Sequence, residues 1–506
     1  MTRPDASSGD LREAGRGFLL ISGAKIWFLL TATFASLAFP RLFGDAAAFG
    51  RYRVVSGVLN VLTMVVVTAS VQAVARLSSE AGADVRGVRR LALGVQAAVF
   101  GPVFLALLLG ADLLASGVLN DEALAAPLRA ASLVVLAYTF YTVLIGLLNG
   151  TRHFGRQAGL DITFSTLKTG LMVAAVVATG SVTWAFLGFA ATSLVVLALA
   201  VPVAAVALKE VPAGGRTPSA REFLRYLLPL AAYALVLNLL LQADVVSLKA
   251  MLGRAGGEGA ANAASVAAGV YGAARNVSLL PYQAVISLTF IVFPLVSRAT
   301  SRGDGVAAGA AATGALRLAA VLSFAAVAAF GAAPEGLLGL LFGPAYQAGG
   351  PVLVPLLASG ALMAVTFVGN AILASAGRPA APLWGGLGSV WMLAACLGVG
   401  LESVAGSEAA MTVAAWSTLA AAATGAGITG VLVRGAFKGA PWMRTTACSV
   451  VAAAAGLGGA ALLPGEVPGV LRMVLSFAAF VGVLPAIGGV GAEDVRRIRI
   501  AFKRRP

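Results

Sequence analysis

The chain has 506 residues, of which 59% are hydrophobic and only 11% charged, with 61 glycines and a formal net charge of +15. Soluble domains carry about 25% charged residues, and a soluble chain with a mean hydropathy of +0.92 has too little polar surface to cover its core. A disordered chain, a DNA-binding domain and a disulfide-stapled secreted module are excluded, and the composition reads as a polytopic membrane protein.

Residues 1–16 are polar, with Arg3, Asp5, Asp10, Arg12, Glu13 and Arg16. The apolar run from Gly17 to Phe39 is too long for a signal h-region and long enough to span a bilayer. Thirteen further segments follow near 50–75, 90–116, 125–149, 159–179, 183–208, 222–249, 264–297, 309–333, 351–376, 380–400, 409–433, 443–463 and 468–490. The predicted fold is therefore an all-α membrane protein of about fourteen transmembrane helices.

Charge placement sets the expected topology. With the N-terminus in the cytoplasm, inner loops and tail hold about three times as many Lys and Arg as outer loops, the bias of cytoplasmic segments. Arg86, Arg89, Arg90, Arg152, Arg156, Arg216, Arg221 and Arg225 fall inside; Arg41, Arg51, Arg129, Lys249 and Arg254 fall outside. Both termini are expected in the cytoplasm, and the basic tail 491–506 reads as an anchor on anionic lipid. The net charge is thus mostly topology, and no nucleic-acid partner is expected. The single histidine, His153, and the two cysteines, Cys396 and Cys448, offer no metal or cofactor site and no Ser-His-Asp triad.

An internal repeat is also visible. Gly50, Arg53, Ser56 and Arg76 recur as Gly272, Arg275, Ser278 and Arg298 at a constant offset of 222. Asn149-Gly150-Thr151-Arg152 similarly matches Ser375-Ala376-Gly377-Arg378. The predicted organisation is an N-lobe over 17–208 and a cytoplasmic linker over 209–221, followed by a parallel C-lobe over 222–433. Two appended helices follow over 443–490. Transporters of this build hold substrate between the lobes.

Intramembrane polar groups are costly and mark function by default. Arg53, Ser56, Asn60, Thr63 and Ser70 share one face of the second helix, and Tyr271, Arg275, Ser278 and Tyr282 share one face of the eighth. With Lys25 of the first helix, Arg53 and Arg275 make a cationic lining suited to phosphate. Ser56, Asn60, Ser278 and Tyr282 add groups able to hydrogen-bond sugar hydroxyls. Two readings of the arginines stand, cavity lining and snorkelling to headgroups. Asp244 is read either as an ion-coupling group or as a gate salt bridge to Arg275 or Lys249. Asp161 and Lys168, seven apart on one face, line the pathway or sit at the interface.

Five stretches carry a family resemblance: FPRLFGDAAAFGRYRVV, VQAVARLSSE, LLNGTRHFGRQAGLDI, VYGAARNVSLLPYQAVISLTFIVFPLVSRA and LLGLLFGPAYQAGGPVLVPLLASGALMAVTFVGNAILASAGRP. They cover most of the chain in order. The chain resembles the Wzx-type polysaccharide-biosynthesis flippases of the multidrug/oligosaccharidyl-lipid/polysaccharide exporter superfamily. The resemblance implies a MATE-like bundle that moves undecaprenyl-diphosphate-linked oligosaccharide across the bacterial cytoplasmic membrane. It also implies alternating access driven by an ion gradient or the membrane potential. The longest outer loop, about 254–264, is too short for a catalytic domain and that side holds no histidine, so no enzymatic role is expected. Lys25, Arg53 and Arg275 would then line its cavity, with membrane lipids and polysaccharide polymerase or assembly proteins as partners. Two other functions fit the same superfamily, a lipid II flippase and a cation-coupled drug exporter.

Overall fold

The structure, a computed structural model, describes residues 8–490 apart from 81, 212–213, 303, 379, 405 and 438–441. The basic tail expected over 491–506 lies outside the described residues, as do 1–7 of the N-terminal segment. The helices are α1 Ser8–Leu42, α2 Ala46–Ser79, α3 Val85–Leu109, α4 Ala125–Gly150, α5 Phe154–Thr179, α6 Val182–Lys209 and α7 Ala220–Gly253. They continue with α8 Gly257–Ser278, α9 Leu280–Ser301, α10 Gly305–Phe330, α11 Pro334–Phe342, α12 Gly350–Ser375, α13 Ala381–Glu402, α14 Ser407–Ala436, α15 Trp442–Ala461 and α16 Gly469–Ala486. No strand occurs among the described residues, and 12 helices are long and apolar enough to cross a bilayer. The chain is a multi-pass, all-α membrane protein. Helices suit this solvent because all of their backbone hydrogen bonds are internal.

The helix ends follow from local chemistry. Asp45 caps α2 by accepting from the backbone N–H groups of Ala47 and Ala48, Ser219 caps α7 through Glu222 N, and Asp304 caps α10 through Ala307 N. Gly180 ends α5 at φ 63°, donating its N–H to Val176 O, a conformation glycine adopts without steric cost. One predicted segment differs: 264–297 is broken into α8 and α9 at Leu279. Pro281 has no N–H to continue the α8 ladder and sits instead in the first turn of α9, where that donor would be unpaired anyway.

The chain divides into two compact units, Met1–Gly269 and Val270–Pro506. In the first, α4 is the central helix, packed by α2, α3 and α6, and 83% of its apolar window is buried. Helix α1 runs along α5 and scarcely meets α2, whereas α7 lies along α2. Only 6% of the apolar window of α1 is buried, as expected of a helix facing lipid. The α6–α7 linker is fastened to the α2–α3 turn by Asp84 N to Arg216 O at 3.0 Å and Arg216 N to Gly82 O at 2.8 Å. In the second unit α12 is central, meeting α9, α10 and α14, with α13 on α14 and α15 between α10 and α16.

Within the first unit α2 and α8 approach backbone to backbone. A Cβ on Gly50 would overlap Ser265 O, and one on Gly269 would overlap Ala46 O. Small residues at such crossings permit the close packing that holds helices together in lipid. Gly269→Val is expected to cost about 1–3 kcal/mol or more by overpacking, read as a lower thermal unfolding midpoint in detergent. An unchanged midpoint would mean that α2 and α8 do not touch here.

Candidate functional site

A cavity of about 410 Å³ opens within the first unit between α1, α2, α4 and α5. Helical spacing builds each wall. Tyr138, Tyr141, Thr142 and Ile145 share one face of α4; Gln157, Asp161 and Phe164 share one face of α5; Lys25 and Phe28 share one face of α1. Thr68 and Gln72 supply the polar positions from α2. The volume falls in the range of about 300–1,000 Å³ typical of small-molecule pockets.

Lys25 stands at the mouth with its side chain 56% exposed, and its Nζ lies 3.8 Å from Oδ2 of the more buried Asp161. The wall behind is aromatic: Tyr141 stacks on Phe164 at 5.7 Å, and Tyr138 meets the Phe164 edge at 5.5 Å. The Tyr141 hydroxyl, Thr142 Oγ1 and Asp161 Oδ2 are buried and accept or donate no hydrogen bond in the structure. Beyond them Lys168 Nζ sits over the Phe189 ring at 4.2 Å and 5.9 Å from that of Phe28, a favourable place for a cation away from water. Gln157 is fixed by an amide hydrogen bond from Asn149 at 3.2 Å.

A second polar cluster lies at the α3–α4 end of the same unit. Asp121 Oδ2 accepts from Arg51 Nε at 3.0 Å, Lys249 Nζ at 2.9 Å and Ser265 Oγ at 3.0 Å. Lys249 is fully buried and also donates to Ala261 O at 2.7 Å. Asn120, at φ 52°, donates from its amide to Ala250 O at 3.1 Å. One carboxylate on the α3–α4 turn thus clasps α2, α7 and the first half of α8. Burial pushes the Asp121 carboxyl up, but Lys249 and Arg51 together outweigh it and hold it below the usual carboxylate range.

The predicted site residues are distributed as follows. Lys25 lines the cavity, whereas Arg53, Ser56 and Asn60 are not among its walls. The α2 face bearing Gly57 packs on Val246 and Gln242 of α7. Thr63 and Ser70 of the same stripe are satisfied internally, Thr63 by Leu59 O at 2.8 Å and Ser70 by Gln96 of α3 at 2.5 Å. Asp244 is fully buried in α7 and accepts from Val245 N at 2.8 Å; Lys249, one candidate partner for it, is held by Asp121.

Arg275, Ser278 and Tyr282 belong to the second unit. There Arg275 is fully buried, with NH1 donating to Ser359 Oγ at 3.3 Å, and Ser278 Oγ donates to Arg275 O at 2.8 Å. Tyr282 lies edge-on to Phe367 at 5.6 Å. Among the described residues no group of three or more His, Cys, Asp or Glu is placed to hold a metal ion. Sequence reasoning missed Gln72, Tyr138, Tyr141, Thr142 and Gln157 in the cavity, and Arg51 and Asp121 in the clasp. Tyr141 and Thr142, three and four residues after Tyr138 inside an otherwise apolar helix, were the available signal.

The architecture is that of a multi-pass membrane bundle of helices, with no strand among the described residues. No protein-family model matches the sequence, and no curated protein matches it. Solved structures do share its fold. A lipid II flippase, MurJ, in an inward closed conformation superposes with a TM-score of 0.69 at 12% identity, covering 92% of this chain and 98% of that one. A multidrug resistance MATE family transporter of the MOP superfamily, in an inward-facing conformation, gives 0.59 at 15% identity over 82% and 95%. A MOP superfamily transporter from Pyrococcus furiosus gives 0.53 at 14% identity over 83% and 96%.

Proposed function

We propose that the protein is a flippase that moves an undecaprenyl-diphosphate-linked oligosaccharide, the repeat unit of a surface polysaccharide, across the bacterial cytoplasmic membrane. The observation that carries this reading is the cavity itself: an exposed ammonium at its mouth and unpartnered hydroxyls at its back, inside an apolar bundle. A diphosphate and its sugars cannot enter hydrocarbon unaided, because each unsatisfied polar group costs several kcal/mol there. Lys25 offers the diphosphate a mobile positive charge, and the hydroxyls and amides replace hydration lost by the sugars. The prenyl tail stays in lipid. No step breaks or makes a covalent bond, so the protein acts as a transporter and not as an enzyme.

In this reading the lobes 17–208 and 222–433 rock against each other, both termini lie in the cytoplasm, and the α3–α4 turn faces outward. The Asp121 clasp then fastens the outer ends of α7 and α8 to α2 and must release for substrate to leave. Arg53 and Arg275 are exposed to substrate in other stages of the cycle, and Asp244 belongs to the gate or the coupling-ion site.

A lipid II flippase is a second reading, favoured by the likeness to a structure of that name. Both are tested with purified protein in proteoliposomes bearing fluorescent lipid-linked substrates in the inner leaflet. Protein-dependent exposure of the oligosaccharide lipid, and weaker exposure of lipid II, is the expected result. Preference for lipid II moves the assignment to peptidoglycan export, and movement of neither lipid refutes the flippase reading.

A further inference from the structure

We infer that the α1–α2–α4–α5 cavity is a sugar pocket that holds the hexopyranose ring attached directly to the diphosphate. The inference rests on the flippase reading above and adds to it the part of the substrate that the pocket recognises.

The cavity presents the features of a sugar glycosyl diphosphate in the right order. Lys25, half-exposed at the mouth and 3.8 Å from Asp161, is the group a phosphate meets first. Its ammonium can turn from Asp161 to a phosphate oxygen, because the pair is held loosely and Lys25 is a mobile point charge. Asp161 Oδ2, already without a hydrogen bond, is then a free acceptor for sugar hydroxyls. Deeper in, the Tyr141 hydroxyl and Thr142 Oγ1 are buried with no partner, though both residues are at least nine-tenths buried. A buried polar group left unsatisfied costs about 1–3 kcal/mol. Native structures rarely keep two such hydroxyls around one void without a ligand or water to satisfy them. The Phe164 ring, with Tyr138 edge-on to it at 5.5 Å, gives the apolar face of a pyranose an aromatic contact, and Gln72 offers both a donor and an acceptor.

The chemistry disfavours a metal cation as occupant. Both unpartnered groups are hydroxyls, the mouth is cationic, and a cation would have to displace Lys25 from the Asp161 carboxylate. A void of 410 Å³ is also large for one ion. A sugar ring uses donors, acceptors and an aromatic wall together.

The test compares binding of three probes to the full chain in nanodiscs: a short-chain prenyl diphosphate, the same lipid bearing one hexose, and the same lipid bearing a full oligosaccharide. Wild type is expected to bind the one-hexose lipid at least about tenfold more tightly than the bare diphosphate, the equivalent of about 1.4 kcal/mol. Most of the gain should already be present with the first sugar. The double variant Tyr141→Phe, Thr142→Val removes only the two unpartnered hydroxyls, so its thermal midpoint should hold or rise. It is expected to bring the hexose-to-bare ratio close to one while bare-diphosphate binding stays at the wild-type level. A ratio unaffected by the double variant overturns the proposal. So does equal loss for both lipids, or a change confined to sodium or proton dependence, which would assign the void to a cation. Binding of none of the lipids by wild type refutes the flippase reading itself, a result distinct from binding without sugar preference.

Discussion

Replacing Asp121 with asparagine should open the α3–α4 end of the first unit. The carboxylate accepts from Arg51, Lys249 and Ser265 at once, and Lys249 is fully buried. Removing one partner of a buried ion pair costs about 3–5 kcal/mol, because the remaining charge is left uncompensated. Asparagine keeps the shape and can still accept weakly, but the Lys249 ammonium then has Ala261 O as its only strong acceptor. The protein can escape this cost by letting α7 and α8 leave α2, which returns Lys249 to water. At about 1.4 kcal/mol per decade, even half the cost shifts an open–closed equilibrium at least tenfold.

The readout is maleimide labelling of a variant at buried Ala264, Ala264→Cys, in a background where the free cysteines Cys396 and Cys448 are replaced by serine. Labelling should be slow with Asp121 present and at least about tenfold faster in Asp121→Asn, given that shift in population. The double variant Asp121→Asn, Lys249→Met separates two explanations. It leaves no buried charge from the pair, so the thermal midpoint should recover while labelling stays fast, because the clasp is gone. Labelling at the wild-type rate in Asp121→Asn would show that the cluster fastens nothing. The pH dependence has a definite sign. The Asp121 carboxyl is held below its ordinary value, so its contribution is complete above about pH 4 and is lost only as pH falls through the lowered value. Once divided by the thiolate fraction of the introduced cysteine, which falls about tenfold per pH unit below about 8.5, labelling should therefore be flat from pH 5 to 8 and accelerate only in stronger acid.

Much of the fold was legible because a membrane span is written in local composition. Each of the fourteen apolar segments has a helical counterpart, and the one that divides does so at Pro281, where the missing N–H gives the reason. The short α11 escaped notice because nine residues are too few to register against a twenty-residue span. Charges were harder to place. Lys249 and Arg51 read as outer-loop residues, since each sits near the end of an apolar run. In the folded protein they meet Asp121, which is 70 residues from Arg51 in sequence. No periodicity encodes that meeting; it depends on the α3–α4 turn reaching between α2 and α7.

The cavity was legible in part for a similar reason. Lys25 stands out in any apolar helix, but Tyr138, Tyr141 and Thr142 blend into an otherwise apolar segment. Their role appears only when α5 brings Asp161 and Phe164 opposite them. The polar stripe on α2 illustrates the converse. Thr63 and Ser70 share a face, yet one satisfies its own helix and the other a neighbouring glutamine.

Lys25→Ala is expected to lower transport of the oligosaccharide lipid by one to two orders of magnitude, the loss of about 1.5–3 kcal/mol for a charge-assisted contact. Lys25→Arg should retain most activity, since a guanidinium also binds phosphate oxygens. The decisive comparison is with Asp161→Asn. Lys25 has two possible duties, holding the diphosphate and neutralising Asp161, and a single substitution removes both together. In Lys25→Ala, Asp161→Asn no carboxylate remains to be neutralised, so a purely compensating lysine predicts recovery of transport. A phosphate-holding lysine predicts that the double variant stays as poor as Lys25→Ala. The 3.8 Å separation of Lys25 Nζ from Asp161 Oδ2 favours the second outcome: it is long for a charge-assisted hydrogen bond, so the ammonium is not committed to the carboxylate. Recovery in the double variant would reduce Lys25 to a structural counter-ion and remove the cationic mouth on which the proposed function stands.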